Sequence, residues 1–413
     1  MTKRDRFFNP LRQAKTASAK ALVADVVHQL QSYERHDKLR KRSRKKRDLE
    51  IFNRQIEAII CEAMHRYLTG ANKRIAISLS NRYLARKDAE SNILNNTISQ
   101  NLKNLSAPVM AFLELQAGDR NEGQVTTFWA GKRLITRIKE RQIGYHDITL
   151  EKSKNVIELR DKKPKGNTKG KLIHYEETPL IRKYRDEMEQ INAFLSEADI
   201  CYQGNKDIDD SRVELKRIFN NGSFEEGGRL YGGFWISMKS DDLKEVTIDD
   251  EWVVALDYGQ MAIRLAYSLA KAPIHFKDAY SLDRKTDGAR EAIKKLMNIM
   301  LNAPATKKRA VSKRITERYK ESDFQRKLMA EIKEFHKPIA HLFGGQYGMK
   351  FMFLESEILI DVLMELNVLG IVALPIHDGL LVKPSQQESA KKVMLKVFKK
   401  HTNIDATVAI EAL

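Results

Sequence analysis

The sequence predicts an α+β fold with a mainly helical N-terminal region. Three observations carry this expectation. In the C-terminal half two apolar, β-prone stretches, VVALDYGQM and NVLGIVALPIHDGLLVKP, each run into an aspartate. Stretches with helix-face spacing surround them, among them LESEILIDVLMEL and SAKKVMLKVFKKH. Residues 15–70 carry the same spacing, with Leu22, Val26 (or Val23) and Leu30 on one face.

The composition narrows the partners. A chain of 413 residues has room for about two or three domains. With 42% hydrophobic and 31% charged residues it can bury a core, which excludes a disordered tail or a disulfide mini-protein. Lys and Arg outnumber Asp and Glu by 73 to 55, a net charge of +18, which favours polyanionic partners, nucleic acid ahead of membrane. Cys61 and Cys201 are far apart and lack metal-ligand spacing, which excludes a cysteine zinc site and fits a reducing interior. There is no apolar run of the roughly 18–20 residues a membrane span needs. MTKRDRFFNPLRQ has no apolar core behind its charges, so it is no secretory signal. The expectation is a soluble, cytoplasmic protein with no membrane contact.

Along the chain, residues 1–70 form a basic helical segment interrupted by KLRKRSRKKR at 38–47. That run reads either as a solvated helix face or as a phosphate contact, since each neutralised phosphate releases counterions. Residues 71–150 give helix (near 91–105), helix (near 107–116), a turn and a basic β-prone stretch, the order of a winged-helix module. Ser99, Gln100, Asn101 and Lys103 would then sit on a groove-facing helix, the alternative being an ordinary helical subdomain. Residues 151–211 hold two strands, NVIELRD and KLIHYEE, around the Gly/Lys loop KKPKGNTKGK. A helix follows through Leu195, opened by Thr178 as N-cap and Pro179 in the first turn. Residues 212–413 hold the acid-ended strands, a long helical stretch over about 286–342 and a last short strand, DATVAIEA.

Asp257 follows Trp252-Val253-Val254-Ala255-Leu256, and Asp378 sits between Val372–His377 and Leu380-Leu381-Val382. A carboxylate in such surroundings is costly unless a cation or hydrogen bonds compensate it. Two such strands side by side bring both acids to one end of a sheet. A pair of hard cations for phosphoryl transfer is held that way, one activating the attacking hydroxyl and the other steadying the leaving pyrophosphate. Taken singly, Asp257 reads equally as a strand end and Asp378 as a turn residue before Gly379.

The neighbours of these acids carry a resemblance. DYGQMAIR, residues 257–264, resembles motif A of family A DNA polymerases, written DYSQIELR. It agrees at Asp257, Tyr258, Gln260 and Arg264, and loosely at Met261 or Ile263. IHDG, residues 376–379, resembles motif C, His-Asp followed by Glu in those enzymes or by Ser in phage single-subunit RNA polymerases. GGRLYGGFW, residues 227–235, lies where that superfamily has a Gly-Arg-Leu or Gly-Arg-Val stretch. REAIKKLMNIMLN, residues 290–302, resembles the fingers helix of motif B with its Arg-x-x-x-Lys. The ordered set covers about residues 212–413. It looks most like small stand-alone family A-type polymerases of mobile elements and phages, some of which are primases.

This resemblance implies a right-hand polymerase, with the palm around Asp257 and Asp378, fingers at about 284–345 and the thumb upstream, where the 178–200 helix is a thumb candidate. Asp257, Asp378 and the Tyr258 carbonyl would hold two Mg²⁺ or Mn²⁺ ions. Arg290 and Lys294, one helical turn apart, would hold the incoming triphosphate. Asn298 and Asn302 continue that face at positions the family fills with aromatics. Arg229, His377 and Arg264 would face primer, template or nucleotide, while Trp235 and Tyr231 read as packing or as stacking platforms. The implied partners are DNA template and primer, dNTPs and NTPs, and an assisting helicase or single-strand binding protein.

Two departures shape the functional expectation. Where the family's motif A glutamate walls off the sugar 2′ position, this chain has Ala262, which predicts ribonucleotide use and primase-like initiation. Gly379 replaces the third acid of motif C, as the RNA polymerases also lack it. The chain is too short for an exonuclease beside a full polymerase, so no 3′–5′ editing is expected. The competing readings are an RNA polymerase, a non-catalytic nucleic-acid binder on a decayed palm, and a two-metal nuclease.

Overall fold

The computed structural model describes residues 5–40, 42–69, 74–80, 84, 93–119, 122, 124–153, 155–164, 170–282, 289–303, 322–411 and 413. The chain divides into two compact units, Met1–Ser153 with Asn205–Ser211, and Lys154–Gly204 with Arg212–Leu413.

In the first unit, β1 (Arg6–Phe7), β3 (Ile75–Ile77), β5 (Thr126–Ala130) and β4 (Leu113–Gln116) form one sheet in the order β1-β3-β5-β4. β2 (Arg12–Ala14) pairs with β6 (Ile148–Leu150). Helices α1 (Ala17–His36), α2 (Lys46–Thr69), α3 (Thr97–Leu105) and α4 (Lys132–Glu140) complete it. Thr16 caps α1 by accepting from the Ala19 N–H. One core runs from Phe8 to Ile148. Residues 1–70 and 71–150 are therefore one body rather than a segment and a module, because β1 pairs with β3 across the expected boundary. Asn101 is buried and donates to Gln55 Oε1 at 2.7 Å, so it faces the core and not a groove. The 38–47 run is mostly a loop between α1 and α2, not a helix face. Arg44 clamps Glu34 through two hydrogen bonds of 2.7 Å and lies over the Phe52 ring. Residues 205–211 join this unit because Asp207, Asp209 and Ser211 pair with buried arginines, Asp209 and Ser211 with Arg12 and Asp207 with Arg66. Arg12 also donates to the buried Glu62 at 2.9 Å.

Among its described residues the second unit holds three sheets. β7 (Ile157–Arg160), β8 (Leu172–Ile173), β10 (Lys216–Asn220) and β11 (Ser223–Tyr231) form the first, ordered β11-β10-β7-β8. The expected hairpin is present as β7 and β8, but β7 also pairs in parallel with β10, Arg217 opposite Ile157, so no boundary falls at 211 within this unit's sheet. The helix α5 (Pro179–Glu197) starts at Thr178, which accepts from the Ile181 N–H, with Pro179 in its first turn. β9 (Ile200–Tyr202), β12 (Val246–Ile248) and β13 (Glu251–Trp252) form a second sheet. The third is antiparallel, ordered β15-β16-β14-β17, from β14 (Val254–Tyr258), β15 (Ala373–Ile376), β16 (Gly379–Val382) and β17 (Val408–Glu411).

Helices α6 (Met261–Leu269), α7 (Ala289–Asn302), α8 (Ser322–Phe335), α9 (Gly348–Val368) and α10 (Gln387–Thr402) complete the unit. The helical stretch expected over 286–342 is thus α7, α8 and a 3₁₀ turn at Lys337–Leu342, while 286–288 and 304–321 lie outside the described residues, as do 165–169 of the Gly/Lys loop. No described helix is long and apolar enough to cross a membrane.

Two buried side chains set the frame. Arg217 lies over the Tyr184 and Phe219 rings, which stack on each other, donates to the Gly228 carbonyl at 3.1 Å and to Ser356 Oγ at 2.9 Å, and pairs with Glu357. Trp235 is fully buried and donates its indole N–H to the Pro375 carbonyl at 2.9 Å, which makes it a packing residue tied to the strand that leads into Asp378. Tyr231 is exposed. Trp235→Phe removes the indole N–H, orphans that carbonyl and leaves part of the indole's buried space unfilled. Urea unfolding should show a loss of about 1–3 kcal/mol; an unchanged midpoint would mean that the bond does not hold the strand.

Candidate active site

Strand alternation and register bring the two acids together. Along β14 the side chains of Leu256 and Tyr258 are buried, and Tyr258 donates its hydroxyl to the Met394 carbonyl at 2.7 Å. Alternation turns Asp257 to the opposite face. Asp257 pairs with Gly379, and Ile376 pairs with Gly379 across the two-residue turn His377-Asp378. Asp378 is therefore the immediate neighbour of Asp257's cross-strand partner. Gly379 has a steric reason to lack a side chain. A Cβ there would lie 2.6 Å from the Leu256 carbonyl oxygen and 3.0 Å from Asp257 Oδ1. The missing third acid of the motif is thus a position that the Asp257 carboxylate itself overhangs.

Among the described residues neither carboxylate makes an ion pair. Burial first, then the charge of Asp378, then that of Glu411, push Asp257's carboxyl up to about 6, with Lys294 pulling the other way. Glu411 stands opposite Ala255 on β17, on the same face as Asp257, and was not singled out from the sequence.

Both acids line a cleft of about 1120 Å³ within the second unit. Arg229, Tyr258, Ala262, Arg290, Lys294, Asn298 and Asn302 line it too. Nine of the eleven residues singled out as site candidates thus share one cavity. Two do not. Arg264 is buried, and its guanidinium donates to the Gly259 and Asp405 carbonyls, so it braces the backbone after Asp257. His377 is exposed in the turn with φ 54° and is not among the lining residues.

The cleft also contains residues that sequence reasoning passed over. Glu355 pairs with Arg229 at 2.7 Å; burial pushes its carboxyl up, Arg229 opposes this, and Asp378 adds to it. Tyr280 and Tyr347 line the cleft, with the Tyr347 ring stacked on Phe351 at 5.7 Å. They place aromatic surface in the same cavity as the asparagines at 298 and 302. The one local signal was Gly344-Gly345-Gln346-Tyr347-Gly348, where Gly344 and Gln346 adopt positive φ.

The donor set fits a hard divalent ion. Two unpaired carboxylates repel each other, and Mg²⁺ takes one or two carboxylates together with waters and substrate phosphate. Among the described residues no group of three or more His, Cys, Asp or Glu side chains could hold a metal ion, so no third such side chain completes a site with this pair.

No family model matches the chain, and no curated protein matches it. Among solved structures it is similar to the POL domain of Pol1 from M. smegmatis in complex with DNA primer-template and dNTP, at a TM-score of 0.34 and 11% identity, over 56% of this chain and 51% of that one. The aligned part spans about half of that chain.

The raised Asp257 carboxyl has a measurable consequence. Between about pH 4 and 6 the folded chain binds more protons than the unfolded one, so stability falls as pH rises through that window and stays reduced above it. Asp378→Asn removes the repulsion. In metal-free protein it should raise Tm at pH 7.5 by roughly 2–4 °C, with the gain gone at pH 4; no gain at pH 7.5 would contradict the proximity of the two charges.

Proposed function

We propose that this cleft is the active site of a template-directed nucleotidyltransferase that extends a nucleic-acid 3′ end. The supporting observation is the placement of two carboxylates without an ion pair, Asp257 on its strand and Asp378 in the adjoining hairpin turn, in one cavity with Arg290 and Lys294 on a single helix. A nuclease would use the acids but would have no need of the two cations one helical turn apart.

In this reading Asp257, Asp378 and the Tyr258 carbonyl hold two Mg²⁺ or Mn²⁺ ions, which when bound lower the pKa of the attacking 3′-hydroxyl and neutralise charge on the transferring phosphate. Lys294 and Arg290 hold the triphosphate and offset the charge of the leaving pyrophosphate. Arg229 releases Glu355 to reach the primer end or the nucleotide. Tyr280 and Tyr347 bound the space for the sugar and base. Ala262 presents only a methyl group to the cleft, which leaves room for a 2′-hydroxyl. The enzyme accordingly takes ribonucleotides as well as deoxyribonucleotides, works on a DNA template and begins chains as a primase does.

Primed and unprimed single-stranded DNA with labelled dNTPs or NTPs and Mg²⁺ or Mn²⁺ tests this. Extension should fall by about a thousandfold or more in Asp378→Ala. Binding of the template without extension would favour a non-catalytic binder, and shortening of the primer a nuclease. A preference for dATP over ATP opposite template T above about a thousandfold would overturn the assignment to Ala262.

A further inference from the structure

Gln260 belongs to the motif around Asp257, yet nothing above gives it a task. It adopts φ 62° at the start of α6, and its side chain reaches the turn at 277–281. Gln260 Oε1 accepts from the Ala279 N–H at 3.0 Å, and Gln260 Nε2 donates to the Lys277 carbonyl at 3.4 Å. The same turn is held from its other side. The buried His336 donates its Nε2–H to the Ala279 carbonyl at 2.9 Å, while the Tyr267 hydroxyl donates to His336 Nδ1 at 3.0 Å. Burial keeps His336 neutral in this bridging tautomer, with its pKa lowered to about 4.

The turn so fixed carries Asp278. Asp278 Oδ1 accepts from the Tyr280 N–H at 3.0 Å, which sets the carboxylate plane. The carboxylate then takes Arg290 by two bonds, Nε to Oδ2 at 2.6 Å and Nη2 to Oδ1 at 3.3 Å. The Arg290 guanidinium also lies 5.4 Å from the Tyr280 ring centroid. This fork uses the Nε edge of the guanidinium and leaves both Nη1 hydrogens for another acceptor.

We propose that Asp278 is a positioning residue for the triphosphate: through the turn braced by Gln260 and His336 it orients Arg290 so that its Nη1 edge receives a phosphate oxygen of a nucleoside triphosphate. This rests on the reading of the cleft given above. Arg290 is attached to the Asp257 strand by a short series of hydrogen bonds, Gln260 to the turn, Asp278 to Arg290. An arginine held in one rotamer loses less freedom on binding than a free one. As a half-exposed ion pair, Asp278–Arg290 adds little to stability. Its contribution is therefore visible in ligand binding and not in Tm.

The test is equilibrium binding of mant-dATP with Mg²⁺, together with steady-state extension of a primed template, for the full chain and for Asp278→Asn and Asp278→Glu. Asp278→Asn should raise both the Kd for mant-dATP and the KM for dATP about tenfold, with kcat within about twofold and Tm unchanged, and Asp278→Glu should recover part of the loss. A wild-type chain that binds and extends beside an Asp278→Asn chain with the same Kd and KM would overturn the inference and leave the cleft reading standing. Tighter binding by Asp278→Asn would overturn it as well, because Asp278 would then compete with phosphate. A wild-type chain that binds no triphosphate would overturn the cleft reading, and this inference with it.

Discussion

The hydrogen-bond register between strand 254–258 and strand 379–382 places the acids of the second unit. It sets Asp257 opposite Gly379 and so beside Asp378. The apolar runs that build both strands are sufficient to hold the register, because a slip of one residue would turn Leu256 and Leu380 out of the core. Two like charges are the cost of that arrangement. No described cation pairs with either acid, and the absence of a side chain at Gly379 lets the Asp257 carboxylate lie over its partner strand. The pair is disfavoured in the folded chain until something positive arrives.

The other charged groups of the cleft are arranged differently. Arg229 is held by Glu355 and Arg290 by Asp278. Both arginines that line the cleft have a carboxylate that fixes their direction, while among the described residues the two central acids make no ion pair. In an ordinary surface network pairs of opposite sign close on each other; the two central acids depart from that pattern.

Much of this was legible in the sequence. The strands around Asp257 and Asp378 were readable because long apolar runs bordering a turn have few alternatives, and the helix at 179–197 because Thr178 and Pro179 mark its start. Ordered motifs added the helix that bears Arg290 and Lys294. Other features depend on partners distant in the chain. Arg264 looks like a ligand-facing cation until the carbonyls of Gly259 and Asp405 are seen to take it. Asn101 looks like a polar surface residue until Gln55, 46 positions earlier, meets it in the core. Glu355, Tyr280, Asp278 and Glu411 carry no local pattern that distinguishes them from surface residues, and only tertiary pairing gives them their positions. The pairing of Arg6–Phe7 with Ile75 and Ala76 is hidden for a similar reason, since a two-residue strand is too short to announce its partner.

If the proposed reading holds, Asp257 and Asp378 act as one electrostatic unit toward divalent cations. The most direct measurement is a Mn²⁺ titration followed by the loss of the free-ion EPR signal, on the wild-type chain, on Asp257→Asn, on Asp378→Asn and on the double variant. The wild-type chain should bind Mn²⁺, either single substitution should remove most of that binding, and the second should add little to the first, as for two ligands of one site. Equal Mn²⁺ binding by the wild-type chain and the double variant would contradict that reading.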